Sequence, residues 1–145
     1  MTEKYLVDSN ILIYAMDYSE AEKHEKAVAF MEKAAFDQQA CLSTQNLVEF
    51  YSNITNPKKG RALGTEISKQ KLSELAAAFR ILPYGTRTIV EAAEINAAHR
   101  AHFWDALLAA TMLENGVKTI YTENVSDFKK IPGIKALNPL RGVYE

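Results

Sequence analysis

Tyr5-Leu6-Val7-Asp8-Ser9-Asn10-Ile11-Leu12-Ile13-Tyr14 decides how the rest of the chain is read. Three apolar residues end abruptly at three polar ones, and an apolar run then resumes. A short unbroken apolar run is what a strand buried on both faces carries. Ser9 or Asn10 is the expected N-cap of the helical turn that follows from Ile11 to Met16. Asp8 therefore stands at the carboxyl end of a buried strand.

Working outward, the same alternation recurs. Ser19 is expected to cap a helix in which Ala27, Phe30, Met31 and Ala34 share one face, with Glu20, Glu22, Lys23 and Lys26 outside it. Ala40 to Ser43 reads as a second strand. It leads into a helix through Asn46 to Tyr51 that stops at Asn56-Pro57. Thr65 is expected to cap a helix from Glu66 to Arg80, with an apolar stripe at Leu72, Leu75, Ala76 and Phe79. Ile81-Leu82 reads as a strand ended by Pro83 and Gly85. Thr88 to about His99 and Phe103 to Asn115 read as two helices, the second stopped by Gly116. Thr119 to Thr122 is a β-branched strand, and Lys135 to Leu137 a last short one. Strands alternating with helices predict an α/β protein on a mostly parallel sheet. Ligands of such sheets gather outside the carboxyl ends of the strands. Asp8 lies at one such end, and Glu123, Asn124 and Asp127 follow another.

The chain has 145 residues, read as a single domain over 1–145 and long enough to bury roughly 70% of its unfolded surface. Hydrophobic residues make up 48% and charged residues 24%, which excludes a disordered or fibrous protein. The single cysteine, Cys41, excludes an internal disulfide and suits a reducing cytoplasm. No apolar run is long enough to span a bilayer, and the N-terminal stretch does not read as a signal peptide. Lys and Arg number 17 against 18 Asp and Glu, so the chain lacks the strongly basic footprint of many nucleic-acid binders. Basic residues do gather at Lys58, Lys59 and Arg61 and at Lys129-Lys130. Solvated loop charge is the ordinary reading of both clusters.

Four acids stand where an apolar context does not ask for one: Asp8, Glu49, Asp105 and Asp127. Taken singly, each has a plain explanation. Asp105 suits the first turn of its helix, where the dipole favours an anion, and Asp127 suits a turn. Taken together, carboxylates brought close repel one another until one takes a proton or a cation intervenes. An oxygen-only donor set suits Mg²⁺ or Mn²⁺ rather than zinc. Such a cation polarises phosphates and activates water, so phosphodiester hydrolysis is the chemistry expected.

The stretches Leu6 to Tyr14, Ser43 to Phe50, Asp105 to Thr111 and Thr122 to Phe128 resemble the ordered motifs of the PIN domain. They are most similar to those of the VapC-type toxins of bacterial and archaeal toxin–antitoxin pairs. The resemblance runs from Tyr5 to about Leu140. It implies an α/β/α sandwich and a Mg²⁺- or Mn²⁺-dependent ribonuclease in which Asp8, Glu49 and Asp105 match the three main acidic positions. The family often has an aspartate two residues after the threonine matched by Thr122, and this chain has Asn124 there. Glu123 and Asp127 are the alternatives for the missing carboxylate, with Asp127 preferred for its place just before Phe128. Ser9, Asn10 and Thr122 match polar residues that flank the family's site and orient its carboxylates and water, while Asn124, at the aspartate position, has an uncharged carbonyl oxygen to offer a cation or its water. The resemblance also implies a homodimer and a cognate antitoxin whose C-terminal segment lies across the acidic groove.

The remaining candidates have ordinary explanations. His24, His99 and His102 lie outside every motif and read as surface helix residues. Trp104 has a ring suited to stacking on a base, but core or interface packing is the common role for such a residue. Tyr14, Tyr18, Phe50 and Tyr51 read mostly as core. No glycine-rich phosphate loop is present. Besides the nuclease, a PIN-like module that holds RNA or protein without efficient cleavage stays open because of Asn124. A small-molecule phosphatase is disfavoured by the missing phosphate loop.

Overall fold

The structure is a computed structural model that describes residues 3–59 and 62–141. Its elements run β1 (Tyr5–Val7), α1 (Ser9–Tyr14), α2 (Ala21–Ala34), β2 (Ala40–Ser43), α3 (Thr44–Ile54), α4 (Thr65–Ala78), β3 (Arg80–Leu82), α5 (Thr86–His99), α6 (Phe103–Glu114), β4 (Thr119–Tyr121), α7 (Val125–Phe128) and β5 (Lys135–Leu137). The five strands form one parallel sheet in the order β3-β2-β1-β4-β5. The expected α/β/α sandwich is present.

Alternation along the strands builds the layers. Tyr5, Val7, Ala40 and Leu42 enter the core shared with α1 to α4, where Ile11, Leu12, Phe30 and Phe50 are buried. Leu6, Cys41, Leu82 and Ile120 face the other way, onto Leu108, Met112, Phe128 and Ile131. A strand covered on both faces needs apolar residues at every position, which is why β1 is uninterrupted. Helix α6 is buried over seven consecutive residues, Ala106 to Met112, because sheet and α5 cover it from two sides. Gly116 takes φ +70° after α6, a left-handed turn that costs glycine little.

Helix starts differ from the expected caps. Asp8 itself caps α1, its side chain accepting from the Ser9 backbone N–H. The aspartate at the strand end can reach back over the first helical turn, so neither Ser9 nor Asn10 is needed there. Ser19 caps nothing. Its N–H and hydroxyl both bind Asp17, and α2 starts after Glu20. Thr65 and Thr88 lie inside α4 and α5, which begin after Gly64 and Gly85. Arg80 belongs to β3 rather than α4. Helix α7 fills the segment after β4 that was read only as a polar cluster. Lys58, Lys59, Lys129 and Lys130 are exposed as expected, and Arg61 lies outside the described residues. No described helix is long and apolar enough to cross a membrane.

The strand order places the site. From β1 the chain steps to β2 and β3 on one side, then crosses to β4 and β5 on the other. The reversal falls between β1 and β4, and crevices open at such points beyond the strand ends. Asp8 follows β1 there, and Thr122 follows β4.

Candidate active site

The β1 end is fixed by hydrogen bonds. The Asp8 backbone N–H donates to the Tyr121 carbonyl at 2.9 Å, extending the ladder to β4 by one residue. On the Asp8 side chain, Oδ1 accepts from the Ser9 N–H at 2.7 Å, and Oδ2 accepts from Thr122 Oγ1 at 2.8 Å. Asn10 Nδ2 lies 3.4 Å from the same Oδ2 and 3.3 Å from Thr122 Oγ1. The Thr122 hydroxyl also accepts from the Asn124 N–H at 3.0 Å. With donors on its lone pairs, its proton is left to point at Asp8.

The β2 end supplies the second acid. Ser43 caps α3 in a reciprocal box. Its hydroxyl accepts from the Asn46 N–H, and Asn46 Oδ1 accepts from the Ser43 N–H. That start places Gln45 and Glu49 one turn apart on one face. Gln45 Nε2 donates to Glu49 Oε2 at 3.2 Å and to the Trp104 carbonyl at 3.0 Å. Ser9 Oγ donates to Glu49 Oε1 at 2.7 Å, joining the first two acids through one serine.

Asp105 enters from the first turn of α6, as expected for an anion at a helix start. Asp8, Ser9, Asn10, Glu49, Asp105 and Asn124 line one groove of about 610 Å³. Thr122 lies fully buried beneath it. Asp127, half-buried in α7, is not among the lining residues, yet its charge acts on Asp105.

The electrostatics follow from this crowding. Asp8 is pushed up to about 6, chiefly by burial. The Thr122 and Ser9 hydrogen bonds oppose the rise, while the charges of Glu49 and Asp105 add to it. Asp105 is also raised, first by burial and then by Asp127 and Glu49, against the opposing charges of His102 and Lys130. Among the described residues, no three His, Cys, Asp or Glu side chains stand close enough to hold one ion between them. The donor set still suits a hard cation. Its donors are oxygens, its charges repel one another, and Mg²⁺ binds through one or two carboxylates while keeping several waters.

A family profile of the PIN domain matches residues 5–134. The chain belongs to the PIN-domain family. Comparison with curated proteins returns no match. Among solved structures, DNA-bound VapBC from Salmonella typhimurium shares 19% identity at TM-score 0.69, over 95% of this chain and 99% of that one. VapC20 of Mycobacterium tuberculosis, described as a sarcin-ricin loop cleaving toxin, shares 17% identity at TM-score 0.68, over 87% and 93%. VapBC2 from Rickettsia felis, bound to a promoter DNA fragment, shares 20% at TM-score 0.67, over 92% and 97%. At these identities the likeness establishes the shared PIN fold.

Some other residues of this PIN domain depart from the sequence reading and others follow it. Glu123 does not face the groove acids. Its carboxylate accepts from Tyr14 OH at 2.8 Å and pairs with Lys23, while its backbone N–H donates to Asn10 Oδ1 at 3.3 Å. Hydrogen bonds to Glu123 and Tyr14 hold the Lys23 ammonium well above its ordinary range. Trp104 is neither core nor covered. It is 58% exposed and lines the groove, because it precedes the residues at which α6 enters the core. Phe50 is core, Tyr14 and Tyr51 are half-buried, and Tyr18 is 80% exposed. His99 and His102 are exposed, and His24 is half-buried with Nδ1 at 2.9 Å from the Tyr14 carbonyl. The sequence reading gave Gln45, Lys23 and Tyr84 no role at the site. The four-residue spacing of Gln45 and Glu49 was the one local signal available for any of them.

Proposed function

We propose that this PIN-domain protein is an endoribonuclease that hydrolyses RNA phosphodiester bonds with a divalent cation, Mg²⁺ or Mn²⁺, and is the toxin of a toxin–antitoxin pair. The observation that carries this reading is the meeting of Asp8, Glu49 and Asp105 in one groove at the point where the strand order reverses. A buried carboxylate pushed up to about 6 beside two other acids is a costly arrangement that a cation relieves.

Asp8 and Asp105 would hold the cation, with Glu49 and Asp127 contributing directly or through water. Bound there, the cation supplies charge stabilisation at a phosphoryl oxygen and acidifies a water. The chain's own residues prepare the site. Thr122 and the Ser9 N–H fix the plane of the Asp8 carboxylate. Ser9 Oγ and Gln45 hold Glu49 from two sides, leaving its charge turned to the groove. Outer partners of this kind typically change metal affinity or activity by 10- to 100-fold.

RNA as substrate, a cognate antitoxin, a second copy of the chain in a homodimer and a cytoplasmic location belong to the same proposal. Fold neighbours described as VapBC complexes support the antitoxin. Asn124 at the family's acidic position favours the second reading of a PIN-fold module that binds RNA or protein without efficient cleavage. Mapping RNA cleavage with Mg²⁺, with Mn²⁺ and with chelator, beside Asp8→Asn, separates the two. The nuclease reading expects cation-dependent cuts and a loss of at least roughly 100-fold in Asp8→Asn, beyond the effect of outer partners. Cleavage at the wild-type rate by Asp8→Asn would remove the site assignment. RNA binding with no cut under either cation would leave the binding module.

A further inference from the structure

The groove holds a feature that hydrolysis does not use. Trp104, the chain's one tryptophan, leaves 58% of its surface in water directly beside Asp105. The side chain is not loose. Its ring lies edge-on to Phe103, with centroids 5.9 Å apart and planes at 72°. Its backbone carbonyl accepts from Gln45, and the same Gln45 amide holds Glu49. One glutamine, itself 4% exposed, thus ties the backbone that carries the exposed ring to the Glu49 carboxylate.

Charge says what this ring is for. Among the described residues lining the groove there is no Lys, Arg or His, while Asp8, Glu49 and Asp105 are all there. Away from a bound cation this wall would repel phosphates, so the nucleic acid's affinity for it has to come from uncharged contacts. Base stacking on an aromatic face is the strongest such contact and tolerates any base. Val48 and Tyr84, 63% and 36% exposed, extend the apolar surface of the same groove. Ser52 and Asn53 on α3, and Asn56 just past its end, continue the groove with neutral polar groups.

We propose that the indole of Trp104 is a stacking platform for one unpaired nucleobase of the RNA, beside the groove acids Asp8, Glu49 and Asp105. This rests on the nuclease reading and requires the base at that one position to be unpaired. A base inside a duplex has both faces stacked already and offers none to the indole.

The single tryptophan makes the test direct. Asp8→Asn protein, which does not consume the probe, is titrated with a six-nucleotide unstructured RNA while tryptophan emission is followed. The same RNA in a duplex and the same strand with abasic sites serve as comparisons. Saturable quenching by the single strand alone is expected. In parallel, fluorescence anisotropy of end-labelled RNA should show binding weakened by about 10- to 100-fold in Trp104→Ala and largely kept in Trp104→Phe. Circular dichroism checks that both variants fold. Single-strand binding with unchanged emission, and equal affinity in Trp104→Ala, overturns the platform. Quenching by an arginine-rich peptide but not by RNA also overturns it, marking Trp104 as a protein-docking residue. Cleavage by wild-type protein separates the two proposals. If RNA quenches emission but is never cut, the platform stands and the nuclease reading fails. If RNA is cut with the same KM and kcat by Trp104→Ala, the platform fails and the nuclease stands.

Discussion

Asp8 and Asp105 face one groove, but they are held in different ways. Asp8, 7% exposed, receives short hydrogen bonds from the Ser9 N–H and the Thr122 hydroxyl and a long one from Asn10 Nδ2. Asp105 is half-exposed, and among the described residues no hydrogen bond or ion pair holds its side chain. The first carboxylate is oriented by the fold. The second is placed by its helix alone. The hydrogen bonds on Asp8 give it direction without offsetting its burial, since the group is still pushed up to about 6. Preorganisation and electrostatic comfort are thus separate properties.

The largest test of this contrast is Asp8→Asn. Cation binding and cleavage should both collapse, while the cation-free protein becomes more stable. The sign follows from linkage. The folded carboxyl titrates about two units above the value of 3.8 expected when unfolded. Its contribution to stability is therefore fully present below about pH 4 and is lost as pH rises through 6. The loss is on the order of 3 kcal/mol at neutral pH. Urea unfolding of wild-type and variant protein from pH 3 to 8 should show curves that diverge from about pH 4 upward, and saturating Mg²⁺ should close the gap for wild type. Parallel curves throughout would mean that Asp8 is not strained.

Thr122→Val is the next largest test, because it removes the short hydrogen bond to Oδ2 and an acceptor for the Asn124 N–H while keeping a β-branched shape. A cost of about 1–3 kcal/mol in unfolding free energy is expected. Isothermal titration should also show a 10- to 100-fold loss of cation affinity. The corresponding loss for Gln45→Ala, on the Glu49 side, should be smaller.

The outer brace on Asp8 can be broken separately. Lys23 and Tyr14 hold the Glu123 side chain, and the Glu123 backbone N–H holds Asn10. Lys23→Met should lower kcat several-fold through a misplaced β4–α7 loop and leave the KM for RNA near wild type. Lys23→Met with Glu123→Gln should recover part of that loss, because members of one network are not additive. A purely additive double variant would show that the brace does not act on the site.

On the looser wall, Asp127→Asn should weaken cation affinity by a few-fold and let Asp105 titrate lower, since Asp127 is the leading charge raising it. Asn124→Ala should matter less, which NMR titration of the aspartate carboxyls would resolve. A stronger effect from Asn124→Ala would hand the fourth position to the asparagine that lines the groove. The smallest effect is expected at Lys58, exposed just beyond the groove end of α3. Lys58→Ala should reduce the salt dependence of RNA binding by about one phosphate contact.

Much of the fold was legible because it rests on local periods. The uninterrupted Tyr5–Val7 and Ala40–Ser43 runs, the face of α2 and the glycine stop after α6 all announce themselves within a few residues. Helix starts were misplaced by one to three residues because a nearby polar residue was read as the cap, whereas α2, α4 and α5 begin after Glu20, Gly64 and Gly85 with no side-chain cap bond. Asp8 took that role at α1 because a strand ends directly on it.

The sequence by itself determined the order of strands and helices, the acids at strand and helix ends, and the absence of a phosphate-binding loop. Which of those acids meet was decided by the tertiary structure. Asp8 and Thr122, 114 residues apart, share a hydrogen bond only because β1 and β4 are neighbours at the reversal of strand order. Glu123, as acidic as Asp127 on paper, is drawn away by a lysine 100 positions earlier. Trp104 is left in water because the α6 core begins two residues later, at Ala106. Periodicity governs contacts within one element, where backbone geometry fixes the spacing. Contacts between elements depend on the order in which strands pair, which no local window of sequence contains.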